Sequence, residues 1–320
     1  MSYSSHPCRY PQDRQPLVDL LLSYRLAAGV ELYPTIWRSL LLLTSRVWQP
    51  EQDARLWLDA SGSLLAFAML WSRRRQSPYL ALDRCVRPGL AQDGTTLAHD
   101  MLAWGTERAQ AIARENAAPL RLFASALHPQ VCPGERLEAF GFAPVVPDPQ
   151  DSNVYFARPL QEALPPPRLP AGDTLRAVGA AGELDAYQDL YGFTAVNPQH
   201  RQELLESDEY AHLVIADPIG ALQAYCEVSI YRAEWQASGQ RIGWIDYIET
   251  RPEAQRQGLG RAALLAGLGQ LQRWGAQQAR LVTVTSNSPA IGLYLVTGFE
   301  RLDIREAPGY MQCIEPSTLD

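Results

Sequence analysis

Hydrophobic and polar positions along the chain spell out one order of elements twice. In the second half, "TLRAV" predicts a short strand, and "ELDAYQDLY" and "PQHRQELLE" are patterned as helices. "HLVIAD", "LQAYCEVSIY" and "RIGWIDYIE" are rich in β-branched and aromatic residues and predict three strands, the first two joined by the turn "PIG". A helix should follow the glycine-bearing stretch 253–260 and run to about Arg273. Beyond it come a buried-type strand "ARLVTVT", a short helix "PAIGLYLVTG" ending at Gly298, and closing strands "FERLDIRE" and "YMQCIE". "RAEWQASGQR" (232–241) is expected to be a hairpin loop, with Trp235 as a stacking platform or an anchor.

The first half offers helices "PLVDLLLSYRLA" and "TIWRSLLLL" and strands "ARLWLDA", "LLAFAMLW" and "YLALDRCV". "WSRRRQSP" (71–78) should tip a hairpin, with a docking patch for anions as the other reading. A long helical stretch then leads to the strand "LRLFASA", a short helix "GERLEAFG", and the strands "FAPVV" and "NVYFARPL". Val86-Arg87-Pro88 matches Thr250-Arg251-Pro252, and counting on from each proline sets Gly94 against Gly258. Gly141-Phe142 matches Gly298-Phe299. This is the signature of a tandem duplication. The proline-rich "LPPPRLPAGD" cannot continue a helix or a central strand and reads as a stiff linker. The expected organisation is one domain over 1–163, a linker over 164–173 and a second domain over 174–320. Each domain is mixed α/β, a largely antiparallel sheet with helices laid on it.

Composition narrows the function. With 47% hydrophobic and 20% charged residues, the chain fits an ordinary soluble protein. No apolar run is long enough for a membrane span, and the N-terminus lacks the apolar core of a secretory signal. The net charge of −7 argues against a general nucleic-acid binder and leaves room for cationic partners. Five scattered cysteines form no CxxC pair, which suggests reduced thiols in a cytoplasmic protein and no metal site. His200 and His212 are isolated and read as surface residues.

The chemistry is concentrated at "EAQRQGLGRAALLAGLGQL" (253–271). A strand, closely spaced glycines and a helix start together make an anion-binding device. First-turn amides have no internal partners, the helix dipole is positive there, and glycine lets a phosphate approach bare backbone. The same glycines could instead serve a plain helix start with close packing. A Walker A loop is excluded, because Arg261-Ala262 stands where Lys-Ser/Thr is needed. The dinucleotide pattern fits loosely, but the next strand ends Val284-Thr285-Ser286 without the acidic residue that holds ribose.

Two motifs carry a resemblance. Gln255, Gly258 and Gly260 match Q/R-x-x-G-x-G/A, and Asn287, Ala290, Leu293, Tyr294, Gly298 and Phe299 match N-x-x-A-x-x-L-Y-x-x-x-G-F. In order and at fitting separation, they make residues 174–315 resemble the GNAT superfamily of N-acetyltransferases, and residues 16–160 more faintly. The resemblance implies acetyl-CoA as acyl donor, its pyrophosphate cradled by the backbone of Gln255, Arg256, Gln257, Gly258, Leu259 and Gly260, with Arg261 at the rim. Ile248, Thr250, Asn287 and Ala290 would border the cofactor. The fourth and fifth strands would splay apart for the pantetheine arm. Tyr294 would be the general acid for the leaving thiolate, and an amide near Glu249 or Thr250 would polarise the carbonyl. The base is open among Glu249, which lies nearer the splay, Asp246, Glu227 and a water chain. Asp246 and Glu249 are an odd number of positions apart, so regular pleating sends them to opposite faces unless a bulge intervenes. In the first half, Ala91 and Thr96 replace Gln255 and Gly260, Asp93 is repulsive to phosphate, and Leu137 replaces Tyr294. That half should have lost cofactor binding and acid catalysis.

The expected activity is acetyl transfer to a primary amine of a small or amino-acid-like acceptor, in a monomer or homodimer. A CoA-binding module without turnover and a longer acyl-CoA donor are the alternatives.

Overall fold

The computed structural model describes residues 2–44, 47–72, 75–146, 148, 152–178 and 206–316. The segments "ELDAYQDLY" and, apart from Glu206, "PQHRQELLE" lie outside them, as does His200. Packing forms two units that are interleaved in sequence rather than contiguous. The first takes Met1–Leu32, Ser39–Pro147 and Glu306–Asp320; the second takes Tyr33–Arg38 and Asp148–Arg305. The expected cuts at 163 and 174 therefore do not separate the contact-defined units.

In the first unit, strands β1 (Tyr3–Pro7), β2 (Ala54–Asp59), β3 (Leu64–Trp71), β4 (Tyr79–Val86), β5 (Leu120–Ser125), β6 (Ala143–Pro144) and β14 (Gly309–Ile314) form a sheet in the order β1-β2-β3-β4-β5-β14-β6. Helix α1 (Arg14–Ala28) packs on it through Leu17, Val18, Leu20 and Leu21. Helix α2 (Ile36–Leu43), which belongs to this unit from Ser39 onward, and the single turn α3 (Pro50–Asp53) follow. Helix α4 (Ala91–Glu115) buries Leu97, Ala98, Met101, Leu102, Ala109 and Ile112 at helical spacing. The stretch read as a short helix is a single 3₁₀ turn, Leu137–Phe140, closed by Gly141.

In the second unit, β7 (Asn153–Pro159), β8 (Thr174–Ala177), β9 (Tyr210–Ala216), β10 (Leu222–Ser229), β11 (Ile242–Thr250), β12 (Gln278–Val284) and β13 (Glu300–Leu302) are ordered β13-β7-β12-β11-β10-β9-β8. The first sheet has the same plan, with one exchange. β14 occupies in the first sheet the place that β7 holds in the second, so each unit takes a strand from the sequence half that carries the other. Both are ordinary apolar strands; their ladders, Gly309↔Ser125 to Ile314↔Leu120 and Gln278↔Pro159 to Val284↔Asn153, are full and antiparallel.

Helix α5 (Arg232–Ser238) replaces the expected hairpin loop. It is closed by left-handed Gly239, and Trp235 Nε1 donates to Ile242 O at 2.7 Å, anchoring the helix to the start of β11. Helix α6 (Leu259–Trp274) lays Leu264, Leu268 and Leu271, all fully buried, against β10 and β11. Each such leucine stabilises the fold by about 1.5–3 kcal/mol. Helix α7 (Ser288–Val296) is capped by Asn287, whose side chain accepts from the Ala290 amide. Among the described residues, no helix is long and apolar enough to cross a membrane.

Candidate functional site

β11 and β12 run parallel but pair over three positions, Ile242↔Gln278 to Trp244↔Arg280. Beyond Trp244 the two strands continue without pairing, β11 to Thr250 and β12 to Val284. The expected splay is present in the second sheet.

The glycine stretch begins where β11 ends. A 3₁₀ turn, Pro252–Ala254, leads to extended Gln255, then to Arg256 at φ 65° and Gly258 at φ 85°. Left-handed backbone is strained for a side-chain-bearing residue such as Arg256. Gly258 takes it freely, and a Cβ built there would meet nothing within 4 Å. Helix α6 opens at Leu259 with no side-chain cap. No described residue accepts a hydrogen bond from the Arg256, Gln257 or Gly258 amide. Gln255 through Gly258 are exposed, and Arg261 is exposed beside them. A Cβ on Gly260 would lie 3.2 Å from Thr250 Oγ1 and 3.6 Å from Leu293 Cδ2. The end of β11, the start of α6 and the helix carrying Tyr294 thus meet at Gly260. The turn is a compact concentration of bare amide donors at the positive end of a helix, a fit for a diphosphate.

Tyr294 is 4% exposed and wedged between Phe156 and Phe299, at ring-centroid separations of 5.7 and 6.0 Å. Burial, with a smaller contribution from Cys226, pushes its phenol above the ordinary tyrosine range, so the group keeps its proton. No described residue hydrogen-bonds its hydroxyl. Asn287 is engaged in the fold, capping α7 and donating to Thr283 Oγ1 at 3.2 Å. Gln255 Nε2 donates to Thr250 O at 3.2 Å. Ile248 and Ala290 pack against the hydrophobic core.

The pleat of β11 is broken by a bulge. Glu227 pairs with Tyr247 and Val228 with Ile245, leaving Asp246 as the extra residue. Ile245 and Ile248 therefore both turn to the core shared with α6. Asp246, Tyr247 and Glu249 turn to the opposite face. There Glu249 Oε2 accepts from Tyr225 OH at 3.1 Å, and Tyr225 stacks on Tyr247 at 12°. Burial and then Glu249 hold the Tyr225 phenol well above its ordinary range. On the same face lies Glu227, 1% exposed, which accepts from Tyr210 OH at 2.7 Å and meets His212 Nδ1 at 3.2 Å. His212 is 2% exposed, a correction to its reading as a surface residue: a buried carboxylate needs partners, and His212 is one of them. The segment Tyr33–Arg38 covers this face. Thr35 Oγ1 donates to Asp246 Oδ1 at 3.0 Å, and the Arg38 guanidinium lies 6.0 Å from the Tyr247 ring centroid.

Sequence reasoning missed Tyr33, Thr35, Arg38, Tyr210 and Tyr225. One signal was present: Gln223, Tyr225, Glu227 and Ser229 alternate with apolar residues in "LQAYCEVS", which marks a polar face.

Residues 183–299 match the family model described as "Acetyltransferase (GNAT) family". Over its whole length the chain superposes on a tandem GNAT protein from the clavulanic acid biosynthesis pathway, with a TM-score of 0.58 at 17% identity, covering 99% of this chain and 100% of that one. Residues 183–299 thus match the GNAT family, and the chain as a whole shares the fold of a tandem GNAT protein. It is 32% identical to a mycothiol acetyltransferase of Salinispora tropica over 45% of this chain and 50% of that one. It is also 27% identical to one of Saccharomonospora viridis, over 66% of this chain and 72% of that one. The match thus spans about half the length of the Salinispora relative.

The first unit lacks the turn of the second and carries a side-chain bridge where its two strands part. Helix α4 begins at Ala91, directly behind Pro88–Leu90, with no counterpart of the 255–258 turn before it. Gly94, set against Gly258 by counting, is a buried residue of that helix. The β3–β4 ladder runs from Ala66↔Val86 to Trp71↔Ala81 without a bulge. β4 and β5 also pair over three positions, Tyr79↔Arg121 to Ala81↔Phe123. Past them Arg84 reaches from β4 to the Ser125 carbonyl at the end of β5, and forms a buried ion pair with Glu135.

Proposed function

We propose that the second unit transfers the acetyl group of acetyl-CoA to a primary amine of a small, amino-acid-like acceptor, and that the first unit binds no coenzyme. The observation that carries this reading is the exposed turn Gln255–Gly258, leading into α6 at the end of a strand pair that parts after Trp244. The family match over residues 183–299 and the names of the relatives support it. The turn's amides, with Arg256 and Arg261 at the rim, would hold the diphosphate. The pantetheine arm would lie between β11 and β12.

The reaction needs an uncharged amine, a polarised carbonyl and a proton for sulfur. An amine arrives as an ammonium ion, and the face bearing Asp246 and Glu249 offers negative charge to receive it. Glu249 takes its proton. The free nitrogen forms the new N–C bond, an amide of β11 near Glu249 or Thr250 polarises the carbonyl, and the C–S bond breaks as Tyr294 gives its proton to the thiolate; the second proton shed by the nitrogen returns to the Tyr294 phenolate, and Glu249 releases the first to solvent. Burial suits Tyr294 to that step, since it keeps the phenol protonated until the thiolate forms. A cytoplasmic location and a monomer or homodimer without nucleic acid complete the reading; the charge of −7 agrees with the last.

Calorimetry with acetyl-CoA, followed by thiol release against a panel of amines, tests it. Saturable binding with amine-dependent thiol release is expected. Binding without turnover on any amine would leave a coenzyme-binding module and overturn the enzymatic reading.

A further inference from the structure

The second unit's acidic face is finished by six residues from far upstream in the chain, Tyr33–Arg38. Their attachment is specific. The Tyr33 amide donates to Tyr155 OH at 3.3 Å, and its ring lies 6.1 Å from that of Trp244. Trp37 Nε1 donates to Ile230 O at 2.7 Å, and its ring packs 5.7 Å from Tyr210. Arg38 is 7% exposed and sits over Tyr247. The segment is therefore held to β7, β11, to the residue following β10, and to β9, each by a separate contact.

Within it, Thr35 is 4% exposed, and its hydroxyl does two things. It accepts from the Arg38 amide at 3.0 Å, which fixes the first turn of α2, and it donates to Asp246 Oδ1 at 3.0 Å. A hydroxyl with one proton and an occupied lone pair is oriented, so the proton is aimed at the carboxylate. Asp246 is the bulged residue, whose backbone the β10 ladder does not hold in register. Its side chain takes its direction from what it binds across the face.

We propose that Thr35 is a positioning residue: it holds the Asp246 carboxylate toward the acceptor, so that the upstream segment sets affinity for a cationic amine while the second unit does the chemistry. This rests on the acetyltransferase reading above. A carboxylate held in one direction receives an ammonium group without first being ordered, and the benefit falls on acceptor binding. Coenzyme binding, at the far end of β11, is independent of it.

Steady-state kinetics of Thr35→Val, Thr35→Ser, Asp246→Asn and the Thr35→Val/Asp246→Asn pair test this, with calorimetry of acetyl-CoA and a melting curve for each. Thr35→Val is expected to raise the acceptor KM about tenfold, the scale of one hydrogen bond to a charged group, with kcat and acetyl-CoA affinity little changed. Thr35→Ser keeps both hydrogen bonds and should restore KM. In the Asp246→Asn background the Thr35 change should add nothing to KM. Lower melting of Thr35→Val with unchanged KM would show a helix cap and nothing more, and would overturn the proposal. So would effects of Thr35→Val and Asp246→Asn that simply add, or Thr35→Ser as impaired as Thr35→Val. A wild-type protein that binds acetyl-CoA and acetylates no amine would overturn the parent reading and this role with it.

Discussion

Arg84 and Glu135 pair inside the first unit with side chains 1% and 3% exposed. Arg84 Nη2 also donates to Ser125 O at 2.6 Å, and Glu135 Oε2 accepts the Leu127 amide at 2.7 Å. The pair ties β4 to the end of β5, the place where β11 and β12 stand open in the second unit. These bonds satisfy both Arg84 Nη atoms and both Glu135 oxygens, while Arg84 Nε has no partner among the described residues; a buried pair so supported is tolerable, whereas half a pair is not. Glu135→Ala is expected to cost about 3–5 kcal/mol in denaturant unfolding. Calorimetry on the intact protein should find a single acetyl-CoA equivalent per chain; a second equivalent of like affinity would contradict a closed first slot.

The glycines of the turn should fail in different ways. At Gly258 an added Cβ meets nothing, but φ is 85°, so Gly258→Ala stores about 1–2 kcal/mol of backbone strain in the turn itself. Acetyl-CoA affinity should fall about tenfold with the fold intact. At Gly260 the obstacle is contact, with Thr250 Oγ1 at 3.2 Å. A bulky residue such as leucine there must push the end of β11 from the helix start, and coenzyme binding should be lost. Titration calorimetry with circular dichroism on both variants measures this; unchanged affinity would remove the cradle.

Tyr294→Phe keeps the ring between Phe156 and Phe299 and removes a hydroxyl that no described residue binds. Stability should change by about 0.5 kcal/mol or less. Turnover is expected to fall about 10²-fold or more, with acetyl-CoA affinity retained. Equal kcat in the variant would move the acid role elsewhere.

Burial raises the phenols of Tyr33, Tyr225 and Tyr294. In the unfolded chain each ionises near its ordinary value of about 10. Below that pH the tyrosines are protonated in both states and their contribution to stability is fully present. As pH climbs past 10, the unfolded chain loses protons that the fold retains, and stability declines. Alkaline unfolding should therefore begin above pH 10, with a shallower slope in Tyr294→Phe. A pH titration of urea midpoints measures it.

Ending the chain after Arg305 removes β14, which lies between β5 and β6 in the first sheet. The second sheet keeps all its strands. Hydrogen exchange should show lost protection across Leu120–Ser125 and unchanged protection across Gln278–Val284. Equal loss in both would contradict the exchange of strands.

Much of the fold was legible because most strands are apolar runs bounded by turn residues, and the glycine turn was legible because its glycines are a local requirement. The features that were not legible depend on distant residues. "RAEWQASGQR" looked like a loop, having too few residues to show a helical stripe, and Trp235 finds its partner only on β11. His212 looked exposed because nothing near it in sequence reveals Glu227 across the ladder. The bulge at Asp246 is a property of the β10–β11 pairing, invisible in either strand alone.

Local chemistry by itself determined the doubled order of elements, the glycine turn at 255–260, and the contrast between a half that has Tyr294 and one that has Leu137. These follow from which residues permit a helix, a strand or a left-handed turn, a decision made within a few positions. Tertiary structure alone decided which sheet β7 and β14 complete, which face Asp246 and Glu249 share, and that Thr35 meets Asp246. Those outcomes turn on hydrogen bonds between segments as much as 211 positions apart, and no local preference encodes a partner at that distance.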